Sequence, residues 1–81
     1  MSKPLMLRLL DAGYPLSEMD HHESDLYVYV TPLTRKIIEE WCKEHSFSRT
    51  WHCPTFRDAV TGKLMFDCVF QYLPDYPDNK A

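Results

Sequence analysis

The chain predicts an α+β two-layer sandwich with the element order helix, strand, helix, strand, strand. Three stretches carry that expectation. "DLYVYVT" at 25–31 alternates aliphatic and aromatic residues, as a strand with two dissimilar faces does. "PLTRKIIEEWCKEH" at 32–45 repeats its apolar residues at helical spacing. "LMFDCVFQYL" at 64–73 is apolar on both sides, which marks a strand buried in the middle of a sheet.

Each element has its own local reason. Ser2 is placed to cap a first helix and Pro4 to sit in its first turn. Leu5, Leu9 and Ala12, with Met6 and Leu10, make one apolar stripe, and Gly13 stops the helix. Tyr14-Pro15 requires an extended exit, and "SEMD" at 17–20 suits one short helical turn. In the first strand Leu26, Val28 and Val30 share one face, Tyr27 and Tyr29 the other. Thr31-Pro32 ends it and opens the second helix, with Thr31 as cap and Pro32 in first position. Leu33, Ile37, Ile38, Trp41, Cys42 and His45 then form the inward stripe.

"RTWHCPTFR" at 49–57 is expected as the second strand, held to a sheet edge by Pro54, which has no N–H for a ladder. "DAVTGK" turns the chain, with Gly62 free to take positive φ. The third strand is expected in the centre of a small three-stranded sheet, antiparallel to its neighbours, with both helices on the face of Leu26, Val28, Val30, Phe66 and Phe70. The opposite face would then expose Tyr27, Tyr29, Met65 and Val69 beside Asp67 and Gln71, with Trp51 there or, after a one-residue slip, in the core. Residues 1–74 form one domain in this reading, and 75–81 a flexible acidic tail.

Composition narrows the function. The 81 residues suit one small domain with a thin core. Nine basic against twelve acidic residues give a net charge of −3. That balance speaks against direct nucleic-acid binding, whose affinity comes from neutralising phosphates. Three cysteines without CxxC spacing fit reduced thiols in a cytoplasm better than a disulfide framework. The N-terminal apolar run is broken by Arg8 and too short to span a bilayer.

Candidate chemistry is sparse. In "HHESD", His21 and His22 could join Glu23 or Asp25 on a divalent metal, but adjacent residues of an extended chain point apart. A polar lead-in to the strand explains them as well. Cys42 and His45 with His52 and Cys53 are zinc-type donors, yet core packing and helix capping account for all four. The expectation is therefore no cofactor and no catalytic residue. The feature left over is the aromatic sheet face: Tyr27, Tyr29, Met65 and Val69, flanked by Asp20, Glu23, Asp25 and Asp67, reads as a contact surface for a protein partner. A zinc-type regulatory or structural module using His21, His22, Cys42, His45 or His52 is the alternative.

The runs "DHHESDLYVYVTPLTRKIIEEW" and "TFRDAVTGKLMFDCVFQY" together resemble a group of small uncharacterised proteins of bacteria and their phages or mobile elements. The shared features are the acid-His-His-x-Ser-Asp-Leu-Tyr-Val segment, the Thr-Pro helix start and the Thr-Gly-Lys hairpin, over about half of the chain. No activity is established for the group. The resemblance implies a setting in which small acidic proteins bind host machinery, as anti-CRISPR and antirestriction proteins do. The expected partner is a host nucleic-acid enzyme or defence complex, with a homodimer as a second mode and neither nucleic acid nor membrane in direct contact.

Overall fold

The computed structural model describes residues 4–22 and 25–68, without the side chains of His21 and His22. Helix α1 spans Leu5–Asp11, and a 3-10 turn covers Leu16–Glu18. Strand β1 runs Asp20–His22 and β2 Asp25–Tyr29. Helix α2 spans Pro32–Glu44 and the single turn α3 Arg49–His52. Strands β3, Thr55–Arg57, and β4, Leu64–Cys68, close the order.

The α+β class holds, and the strand expected in the centre is central: the sheet order is β1-β2-β4-β3, antiparallel throughout. It has one strand more than expected. The "DHH" of the polar approach is itself an edge strand, with Asp20 opposite Tyr27. Its polarity concealed it, because an edge strand needs ladder partners more than apolar residues. The second correction is at "RTWH", which coils into α3. Strand β3 is confined to 55–57, at the edge as Pro54 demands. Val69, Phe70, Gln71, the rest of the third predicted strand and the 75–81 tail lie outside the described residues.

The core lies on the predicted face. Leu26 and Val28 from β2 meet Phe66 and Cys68 from β4, under Leu5 and Leu9 of α1 and Ile38, Trp41 and Cys42 of α2. Leu33, expected inside, is turned outward, and Thr34 is fully buried in its place. Its hydroxyl donates to Tyr29 O at 2.6 Å and accepts from Thr31 N at 2.9 Å, while Thr31 Oγ1 accepts from Thr34 N at 3.1 Å. This reciprocal capping box satisfies a buried polar side chain and fastens the start of α2 to the end of β2. Pro32 follows the Thr31 cap as expected.

Both long helices end in the same motif. After α1, Gly13 has φ 100° and Tyr14 N donates to Leu9 O at 2.9 Å. After α2, Ser46 takes φ 58° and Phe47 N donates to Cys42 O at 2.8 Å. Each is a Schellman closure, which glycine fills without the steric cost a serine bears. Arg8 and Glu44, 2.5 Å apart, pair α1 with α2.

Tyr14 does work that no local pattern shows. Strand β1 begins at Asp20, so Tyr29 N, beyond the end of that ladder, has no β1 strand residue opposite it. The Tyr14 hydroxyl accepts from Tyr29 N at 3.0 Å and donates to Glu18 O at 2.8 Å. A phenol is thus spliced in where a ladder hydrogen bond would otherwise continue. Burial raises its pKa above the ordinary 10.0, while the bond from Tyr29 acts the other way.

Candidate functional site

Register defines the second face of the sheet, from which Tyr29 also packs against the core cluster. Tyr27 is opposite Asp20 on one side and Asp67 on the other, so Asp20, Tyr27 and Asp67 form one row across β1, β2 and β4. Tyr29 is opposite Met65, and Met65 is opposite Phe56, which makes a second row across β2, β4 and β3. The Tyr27 and Phe56 rings meet edge to face across β4 with centroids 5.2 Å apart. Lys63 holds its ammonium 5.2 Å from the centre of the Tyr29 ring.

The sheet therefore gathers most of the predicted contact residues. Tyr27, Tyr29, Asp25 and Asp67 are half-buried, and Asp20 is exposed. Glu23 and Val69 lie outside the described residues. Met65 corrects the expectation: it is only 6% exposed, set between its register partners Tyr29 and Phe56. It is the floor of the face. Phe56 was missed, because a strand drawn from Arg49 leaves its register undetermined. The Pro54 stop and the turn at 58–63 were the signals that would have placed it opposite Met65. In that turn the Asp58 carboxylate accepts from Val60 N and Thr61 Oγ1, and Gly62 has φ 72°.

Trp51 lies neither on this face nor in the core. It stands on α3, 81% exposed. The coil that carries it outward turns Cys53 inward, fully buried.

The zinc-type donors are dispersed over different tasks. Cys42 points into the core, where its thiol donates to Cys53 Sγ at 4.0 Å. His45 sets Nδ1 2.9 Å from Trp41 O, and His52 sets Nδ1 3.1 Å from Ser48 O, each closing a helical turn. Both imidazoles stack on Phe47, at 5.3 and 4.1 Å between centroids. His21 and His22 are consecutive residues of β1. Among the described residues no three or more His, Cys, Asp or Glu side chains are grouped to hold a metal ion. Nor is any described helix long and apolar enough to cross a membrane. A broad hollow follows the outer face of α2, beside Val30, Arg35, Glu39 and Lys43, away from the predicted contact residues.

Comparison with family models, curated proteins and solved structures finds no match for the chain.

Proposed function

We propose that the protein is a nonenzymatic binding module whose Tyr27/Tyr29 sheet face docks on a protein partner. The observation that carries this reading is the cross-sheet register. It sets Met65 between Tyr29 and Phe56, with Tyr27 meeting Phe56 edge to face and Asp20 and Asp67 ending the Tyr27 row. Tyrosine offers apolar area and a hydroxyl at small entropic cost, which suits the core of an interface. The carboxylates suit a basic counterpart, and charge complementarity of this kind speeds encounter and fixes orientation. A host nucleic-acid enzyme or defence complex, whose channel is basic, has the matching chemistry. The protein would then act as an inhibitor or accessory factor of a phage or mobile element, in the manner of anti-CRISPR or antirestriction proteins. Self-association through the same face is the second mode.

The experiment is a pulldown from a host lysate read by mass spectrometry, with the wild type, the Tyr27→Ala/Tyr29→Ala variant and the Asp20→Asn/Asp67→Asn variant. Circular dichroism verifies folding, and sedimentation reads self-association. Loss of the captured partner or of the dimer in the folded tyrosine variant is expected. Asparagine at 20 and 67 should weaken capture most at low salt. Capture and sedimentation unchanged by both variants would remove the proposal.

A further inference from the structure

All three cysteines of the chain lie in one buried cluster. Cys42 comes from α2, Cys53 from the end of α3 and Cys68 from β4, and they are 3%, 0% and 1% exposed. The Cys42 thiol donates to Cys53 Sγ at 4.0 Å, and Cys68 belongs to the same buried cluster. All are reduced. We propose that Cys42 and Cys53 are a latent disulfide pair, closed by hydroperoxide, that fastens α2 to the turn presenting Trp51.

The pair is the one whose sulfurs the fold sets in contact, at 4.0 Å. A disulfide holds its sulfurs at about 2.05 Å, so the gap must shorten by roughly 2 Å. Cys68 is poorly placed to move, because β4 is laddered to β2 and β3 on its two sides, and Cys68 itself sits opposite Leu26. Cys53 ends a helix of four residues whose Trp51 is almost bare. The sulfur that travels is therefore the one on α3. Besides its burial in the core, its anchors are these: Arg49 O accepts from Cys53 N at 2.8 Å, the Arg49 guanidinium donates to Cys53 O at 2.9 Å, His52 stacks on Phe47, and Pro54 O accepts from Asp67 N at 2.8 Å.

The closed fold keeps the pair quiet. Donating to Cys53, and then burial, raises the Cys42 pKa far above the thiol range. For Cys53, the bond accepted from Cys42 lowers the pKa, but the bond to Cys68 and burial outweigh it. Reaction thus follows opening of α3, when one sulfur ionises. That thiolate attacks the peroxide, forming an S–O bond as the O–O bond breaks. The products are a sulfenic acid and, after proton uptake, water. The second thiol then attacks the sulfenic sulfur, the S–S bond forms, and hydroxide leaves with the thiol proton as water. Two thiols lose two electrons in all, and one hydrogen peroxide is reduced to two waters.

The test exposes the full chain to hydrogen peroxide, then unfolds it and alkylates the remaining thiols. Trypsin cuts after Lys43, Arg49, Arg57 and Lys63, which puts the three cysteines on separate peptides. A single alkylated cysteine, Cys68, and one link joining the Cys42 and Cys53 peptides are expected. The rate should rise several-fold in urea too dilute to unfold the domain. Cys68→Ala should give the same link. Three alkylated cysteines at a dose that fully oxidises a free dithiol control would overturn the proposal, as would a Cys53–Cys68 link or oxidation to sulfinic acid alone. The wild-type peptide map decides even if a variant fails to fold.

Discussion

Replacing Tyr14 by phenylalanine removes one oxygen and leaves the buried ring in place. It strips Tyr29 N–H of its acceptor and Glu18 C=O of its donor at once. An unsatisfied buried backbone group costs about 1–3 kcal/mol, and the partial burial here puts each near the lower end, for a total of about 2 kcal/mol. An 81-residue domain is stable by about 4–12 kcal/mol. The change therefore lowers the melting temperature by about 8–16 °C. Urea unfolding followed by far-UV circular dichroism measures it, with the midpoint shifted and the slope unchanged. A second readout comes from pH. The folded protein holds the Tyr14 proton above pH 10.0, where the unfolded chain releases its own, so this group's contribution is intact below pH 10.0 and declines as pH rises past it. The stability gap between wild type and Tyr14→Phe should accordingly narrow above that pH. A gap under about 0.5 kcal/mol at neutral pH would refute the bridging role, since that is the scatter of surface substitutions.

Three further outcomes are expected. Ser46→Gly relieves a left-handed serine and should raise stability by about 0.5–1 kcal/mol in the same urea assay. Thr34→Val keeps the shape but leaves Tyr29 O and Thr31 N without the hydroxyl, for a loss of about 1–3 kcal/mol. Cys42 and Cys53 hold their protons in the fold above the ordinary 9.0, so their contribution falls as pH rises past 9.0; the urea midpoint should drop between pH 8 and pH 10, and less steeply in Cys42→Val.

Much of the site was legible because a strand's period is two. Once residues 25–29 are extended, Leu26 and Val28 must face opposite to Tyr27 and Tyr29, whatever the rest of the chain does. The Thr31-Pro32 start of α2 was equally local, as was the stop at Gly13. Trp51 was not legible, since its place depends on where the chain between Ser48 and Thr55 coils and where it extends. "RTWHCPTFR" has strand-forming side chains at Thr50 and Trp51. What overrides them is the burial of Cys53 beside Cys42 and the stacking of His52 on Phe47, contacts reached across 11 and 5 residues of sequence.

The amino-acid sequence by itself determined the elements whose causes lie within a few residues: the two-faced strand, the capped amphipathic helix, the central apolar strand and the Gly62 turn. Only the tertiary structure decided what meets across the sheet and in the core. Tertiary contact made "DHH" a strand, set Met65 between Tyr29 and Phe56, brought the Cys42 and Cys53 thiols together and set the Tyr14 hydroxyl beyond the end of a ladder. The physical reason is range. Backbone preference and side-chain period act between neighbours, whereas register and burial are settled only when segments far apart in the chain compete for the same apolar surface and the same hydrogen-bond partners.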